Sequence, residues 1–179
     1  RLDPDVVLVL GDRFETHAAA TTAMLMNIPI AHIHGGEITE GAMDEKIRHS
    51  ITKMSSLHFT SIEEYRDRVI QMGEHSNTVF SVGAPGIDNI VNMNLLSKGE
   101  LEDELEWKFN GTTALFTFHS ETLSTVDTSK EIKRILEIIG DSNINVLFTY
   151  ANSDDGGRVI NSEIEEFASK DKEKYLVVK

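Results

Sequence analysis

Residues 6–37 read VVLVLGDRFETHAAATTAMLMNIPIAHIHGGE. Val6–Leu10 is an unbroken apolar run, the pattern of a strand buried on both faces of a parallel sheet. Gly11-Asp12-Arg13 interrupts it. Arg13–Asn27, rich in Ala and Met, reads as a helix, and Pro29–His34 returns to a strand. Strand, helix and strand packed into so short a stretch form a parallel crossover unit.

The alternation continues outward from this unit. Met43–Ser55 reads as a helix with Ile47, Ile51 and Met54 on one face. Leu57–Thr60 reads as a strand, Ile62–Met72 as a helix closed by Gly73, and Thr78–Val82 as a strand before a Gly83–Gly86 turn. Asn92–Asn110 is polar and acidic, with one helix expected around Glu100–Trp107. The pattern then resumes with a strand at Thr113–Phe118, a helix at Thr125–Ile139 capped by Ser124, and a strand at Asn145–Tyr150. An Asn152–Gly157 turn leads into a helix that runs to about Ala168. The reading is α/β, two doubly wound parallel-sheet units joined in the Asn92–Asn110 region. Central parallel strands rarely open a complete domain, and Tyr175–Val178 begins a further apolar run. The chain is therefore expected to be part of a longer protein, with each unit only partly present.

Composition narrows the functions. The 179 residues carry a formal charge of −13, which repels phosphate backbones, so nucleic acid is not an expected partner. An anionic substrate would need positive charge concentrated locally, or helix N-termini. No apolar run approaches a membrane span and no signal peptide is recognisable, so no membrane partner is expected. There are no cysteines, which excludes thiolate chemistry and fits a cytoplasmic setting. Walker A, G-x-G-x-x-G and G-x-S-x-G patterns are missing from the sequence. Asn152, Asp154, Gly157 and Glu163 fall at calcium-loop positions, but Gly156 occupies a ligand position and a strand precedes the loop. No metal and no cofactor are expected.

Ligands of open α/β sheets bind beyond the carboxyl ends of the strands. The residues in those places are Gly11-Asp12-Arg13, His34-Gly35-Gly36-Glu37, His119-Ser120-Glu121, and Asn152 with Asp154 and Asp155. Asp12 reads either as a helix cap or as a functional carboxylate. By period-two alternation, His32 and His34 point to one side of their strand. They are either a chelating pair or, on the favoured reading, one core histidine and one pocket histidine. Asp44 and Arg48, four apart on a helix, either pair along its surface or supply a carboxylate and a phosphate contact. His119 is either a solvated loop residue or a group facing a cleft between the units.

Several blocks carry a likeness beyond any one motif. They are Gly11-Asp12-Arg13-Phe14-Glu15, His32–Glu37, Arg48-His49-Ser50-Ile51-Thr52-Lys53, Gly83–Asp88 and Phe118-His119-Ser120-Glu121. In order and spacing these resemble the hydrolysing UDP-N-acetylglucosamine 2-epimerases of bacterial sialic-acid-type pathways. The resemblance implies a GT-B fold, two Rossmann-like domains with the active site between them. Residues 1–96 would be the second half of the N-terminal domain, and 97–179 the linker and first half of the C-terminal one. It also implies that a Gly-Thr-Arg-type loop upstream and a Ser/Gly-rich nucleotide loop downstream complete the site, so the chain alone is expected to be nearly inactive.

The implied substrate is a UDP-sugar. UDP-N-acetylglucosamine and water would give N-acetylmannosamine and UDP, by elimination to a glycal and hydration. The catalytic residues carried over are Asp12, Glu37, Asp44 and His119. Those implied to bind substrate are Arg13, His34, Arg48, His49 and Ser120. His34 stands where relatives often have Glu, so either Glu37 takes over that role or His34 itself is the acid/base. Related readings are a non-hydrolysing epimerase, an enzyme for a 2,4-diacetamido-6-deoxy sugar, a GT-B glycosyltransferase, and a non-catalytic binding module. A homodimer through the first domain is implied. Met24, Met26, Ile51 and Met54 serve equally well for such a surface or for core packing.

Overall fold

The computed structural model describes residues 3–120, 126–152 and 156–178. The chain divides into two compact units, Arg1–Met93 and Asn94–Lys179, slightly ahead of the 96/97 boundary read from the sequence.

In the first unit β1 (Val7–Leu10), β2 (Ile30–Ile33), β3 (Leu57–Thr60) and β4 (Val79–Ser81) form a fully parallel sheet in sequence order. The connections carry α1 (Phe14–Leu25), α2 (Asp44–Met54) and α3 (Glu63–Gln71). A strand order running one way, with right-handed crossovers, sends successive connecting helices to the same face. The core follows from this. Ala20 and Ala23 of α1 and Ile51 of α2 are buried with Val9 and Ile30. Leu8 and Leu10, which alternate with Val7 and Val9, lie on the other face and are 62% and 57% exposed. The expectation that this strand is buried on both faces is therefore corrected, because within this chain one winding of helices covers only one face. Ile51 is core, while Met24 and Met26 are exposed.

Gly83–Gly86, read as a turn, instead leads into α4 (Pro85–Asn92), with Pro85 in its first turn. Proline there has no N–H to lose and a preset φ, so Gly-Ala-Pro is a helix start. Gly73, at φ +99°, follows the end of α3 as expected.

The second unit repeats the scheme with β5 (Thr113–Phe116), β6 (Asn145–Thr149) and β7 (Tyr175–Val178), also parallel and in sequence order. Its core joins Ile132 and Leu136 of α6 (Thr128–Asp141) to Val146 and Phe148, and to Ile160 and Ile164 of α7 (Gly157–Ala168). Asp127 caps α6, its carboxylate accepting from the N–H groups of Ser129 and Lys130. The cap expected at Ser124 lies outside the described residues, and the helix starts later than the sequence suggested. The helix expected around Glu100–Trp107 is α5 (Lys98–Glu104), opened by a Ser97–Glu100 capping box. Trp107 falls just past it, buried, with Nε1 donating to the Glu173 carbonyl at 3.0 Å.

Candidate active site

The carboxyl edge of the first sheet gathers most of the candidate residues. Asp12 stands at the end of β1, next to Gly11 with its φ of +78°. The residue at the N-cap position of α1 is Arg13, and it makes no side-chain cap bond. Asp12 thus does not act as the cap. Its Oδ2 instead accepts a hydrogen bond from Arg48 Nη2 of α2. Arg48 is 3% exposed, so it is not the surface residue that an i,i+4 pairing with Asp44 implied. Its guanidinium also donates to Thr39 Oγ1 and to the Glu37 carbonyl, both at 2.8 Å. A planar guanidinium suits this convergence, because its donors diverge in one rigid plane. In this acidic chain, it supplies buried positive charge at the sheet edge.

The two histidines of β2 separate. His32 is fully buried, with Nε2 2.9 Å from the Gly11 carbonyl and Nδ1 3.2 Å from Thr52 Oγ1. Nε2 must be the donor to a carbonyl, which leaves Nδ1 to accept. Burial lowers its pKa to about 4, so the ring is neutral near pH 7 and serves as a core group under Gly11. His34 leaves the strand at φ +68°, a left-handed conformation uncommon outside glycine. Period-two alternation therefore ends at Ile33. The His34 amide still donates to the Phe59 carbonyl of β3 at 2.9 Å. Its Nδ1 lies 2.6 Å from Glu37 Oε1, and that same oxygen accepts from Ser61 Oγ at 3.1 Å.

Gly35 and Gly36 make this short loop possible. A Cβ on Gly36, at φ +81°, would fall 2.4 Å from the Tyr65 carbonyl of α3. Arg68 of α3 donates to the Gly36 carbonyl, while Arg48 of α2 holds that of Glu37. The loop is clamped from both neighbouring helices.

His34, Glu37 and Ser61 open onto a cleft of about 550 Å³ that Tyr65, Val82, Gly83, Ala84 and Asp88 complete. A groove of about 570 Å³ beside α1 is mostly apolar, with Asp3 and Thr22 as its polar residues, and holds none of the candidate catalytic or substrate-binding residues. Asp44 opens α2. His49, one residue past Arg48, lies 3.8 Å from Glu45. Arg13 lies over the Phe14 ring at 5.6 Å.

In the second unit His119 follows β5 and is exposed, with Nδ1 accepting from the Asn152 amide at 3.2 Å. That bond leaves the proton of a neutral ring on Nε2, as a donor. Ser120 stands beside it. A Cβ on Gly156, at φ +86° ahead of α7, would come within 3.0 Å of Ser120 Oγ. Glu121, Asp154 and Asp155 lie outside the described residues. Glu163, the last residue of the calcium-like spacing, is bonded to Lys133 at 3.0 Å and Ser129 at 3.2 Å. Among the described residues no group of three His, Asp or Glu is placed to hold a metal, and no helix is long and apolar enough to cross a membrane.

Thr39, Ser61 and Arg68 were missed in the sequence. Ser61 had a usable signal, since it directly follows β3, the position class that singled out Asp12 and His34.

The family model described as UDP-N-acetylglucosamine 2-epimerase matches residues 1–177. A Campylobacter jejuni protein named GDP/UDP-N,N'-diacetylbacillosamine 2-epimerase (hydrolyzing) is 44% identical over 97% of this chain and 45% of its own length. The polysialic acid biosynthesis protein P7 of Escherichia coli is 42% identical over 97% of this chain and 44% of its own. The chain thus spans less than half the length of these curated relatives. Among solved structures, Neisseria meningitidis UDP-GlcNAc 2-epimerase bound to UDP-GlcNAc superposes with a TM-score of 0.77 at 21% identity, covering 98% of this chain and 49% of that one. That likeness bears on fold alone, and the α/β, GT-B-type class expected from the sequence stands. With the family matched over nearly its whole length, the chain belongs to the UDP-N-acetylglucosamine 2-epimerase family.

Proposed function

We propose that this chain is the central part of a hydrolysing UDP-2-acetamido-sugar 2-epimerase, which turns UDP-N-acetylglucosamine and water into N-acetylmannosamine and UDP. The observation that carries the reading is the linked set Asp12–Arg48–Glu37–His34 at the carboxyl edge of the first sheet. Relatives named as hydrolysing enzymes support the hydrolytic outcome, at 44% and 37% identity. A Neisseria meningitidis relative named only UDP-N-acetylglucosamine 2-epimerase is 30% identical.

The chemistry sets the demands. A base removes the C2 proton, the C–H electrons form the C1–C2 double bond, and the C1–O bond breaks with its electrons leaving on UDP. Water then adds at C1 of the glycal and a proton adds at C2 from the opposite face, giving the free epimer. Inversion requires proton carriers on two sides of C2. Asp12, oriented by buried Arg48, is one, and the Glu37–His34 pair is the other. Asp44, at the start of α2, is a further carboxylate in the same scheme. Departing UDP needs a donor. The Nε2–H of His119 supplies one, with Ser120 beside it, while Arg13, Arg48 and His49 contribute cationic or hydrogen-bonding groups to substrate binding. The scheme needs no metal and no cofactor.

A second reading changes only the sugar. The relatives named for N,N'-diacetylbacillosamine favour a UDP-2,4-diacetamido-6-deoxy sugar as substrate. The test is to incubate the whole protein containing this chain with UDP-N-acetylglucosamine and with UDP-N,N'-diacetylbacillosamine, and to measure UDP release. Release with either supports the reading, and the larger kcat/KM names the sugar. Silence with both sinks it. A UDP-linked epimer without free UDP indicates the non-hydrolysing reaction instead, and a requirement for an acceptor sugar indicates a glycosyltransferase. The homodimer is part of the same proposal and is tested by light scattering of the whole protein.

A further inference from the structure

We infer that Ser61 is a positioning residue for proton transfer, holding the Glu37 carboxylate so that His34 presents Nε2 to the cleft as the proton-carrying atom. The inference rests on the epimerase reading and deepens it. Three features carry it. Glu37 Oε1 receives two donors, His34 Nδ1 at 2.6 Å and Ser61 Oγ at 3.1 Å. A carboxylate in that position makes Nδ1 the protonated nitrogen of the ring and leaves Nε2 with a lone pair. All three side chains line the one cleft.

His34 also sits at φ +68°. A non-glycine residue held there costs free energy that its surroundings must offset, and such outliers concentrate at functional sites. Here the surroundings are the His34 amide bond to Phe59, the Arg68 bond to Gly36 and the Arg48 bond to Glu37. Backbone clamps fix where the loop runs. They do not fix the rotation of the Glu37 carboxylate, because all three end on main-chain oxygens. Ser61, reaching in from the end of β3, supplies that missing restraint. In the elimination His34 Nε2 takes or returns the C2 proton, and Glu37 balances the imidazolium formed for that interval.

The test is steady-state kinetics of the whole protein with whichever UDP-sugar it turns over. Ser61→Ala is expected to lower kcat about tenfold or more with KM within about twofold, the loss of one hydrogen bond to a charged group. Ser61→Thr, which keeps the hydroxyl, restores kcat. His34→Gln lowers kcat by about a hundredfold or more. In that background Ser61→Ala has no further effect, a coupling that a merely structural role would not produce. Equal losses in both backgrounds, or a change in KM alone, overturn the inference.

A second readout does not depend on turnover. Nitrogen NMR of histidine-labelled protein is expected to find His34 as the Nδ1–H tautomer in the wild type and as a mixture in Ser61→Ala. An Nε2–H tautomer in the wild type overturns the inference even if Ser61→Ala does not fold. If no UDP-sugar is turned over, the epimerase reading fails alone, and the tautomer still decides the positioning claim.

Discussion

Arg48→Met is the substitution whose consequences the structure defines most fully. The guanidinium is 3% exposed and donates to three acceptors, Asp12 Oδ2, Thr39 Oγ1 and the Glu37 carbonyl. Methionine keeps much of the stem's packing, so the loss is almost wholly electrostatic. Removing one partner of a buried ion pair costs about 3–5 kcal/mol, because the other charge is left uncompensated. The Asp12 side chain is 23% exposed, and water recovers part of its solvation. The expected loss therefore sits at the low end, about 3 kcal/mol. Arg48→Lys keeps a charge but only one point of donation, and recovers about half of that. The assay is urea unfolding combined with native-state hydrogen exchange. The exchange signal is read on the β1–β2 ladder, where Val7–Leu10 pairs with Ile30–Ile33. A loss for Arg48→Met of no more than about 0.5 kcal/mol, the range of an ordinary surface change, would show that Arg48 is not a buried charge holding Asp12. So would equal losses for Arg48→Met and Arg48→Lys.

Two further outcomes follow from neighbouring groups. Burial holds His32 at a pKa of about 4 in the fold, against 6.5 unfolded. The native state therefore binds fewer protons between those values. The stability involved is fully present above pH 6.5 and is lost as pH falls toward about 4, amounting to about 3 kcal/mol at about 1.4 kcal/mol per pH unit. His32→Gln should lack this part of the pH dependence, and an unchanged slope in urea titrations from pH 7 to 4 would count against it. Gly36→Ala adds a Cβ at 2.4 Å from a backbone carbonyl, whereas Gly11→Ala meets nothing within 4 Å. Both occupy left-handed φ, so Gly11→Ala should cost about 1 kcal/mol and Gly36→Ala more than about 2 kcal/mol with loss of the His34–Glu37 contact, measurable by thermal unfolding and histidine NMR.

The fold was readable because apolar runs and Ala-rich stretches alternate cleanly, and each run from Val7–Leu10 to Tyr175–Val178 became a strand. Burial was not readable from the same runs. Leu8 and Leu10 carry the signature of a doubly covered strand, but coverage depends on a second set of helices, which Val6–Leu10 cannot specify. Helix starts failed where caps override propensity. Pro85 begins a helix that Gly83–Gly86 disguised as a turn, and Asp127 begins α6 later than its apolar pattern implied.

Looking beyond strand ends singled out Asp12, His34 and Glu37, which are linked through Arg48 at the carboxyl edge of the first sheet, and His119 in the second unit. Arg48 could not be found that way, because it belongs to a helix, whereas Ser61 could, though its pairing with Glu37 could not. Arg48 crosses from α2 to Asp12, and Ser61 from the end of β3 to Glu37, pairings between residues distant in the chain. His34 also escaped its expected side of the strand, since a single left-handed residue reverses the alternation on which that expectation rests.

The proposed reaction breaks the C2–H bond of a UDP-2-acetamido sugar and expels UDP. The most direct measurement is turnover of the whole protein in heavy water, following UDP release and the isotope at C2 by mass spectrometry and NMR. The expected product is a free 2-epimerised sugar carrying one solvent deuteron at C2, formed in step with UDP, with Asp12→Asn abolishing both. UDP release with C2 keeping its original proton and configuration would exclude that reaction.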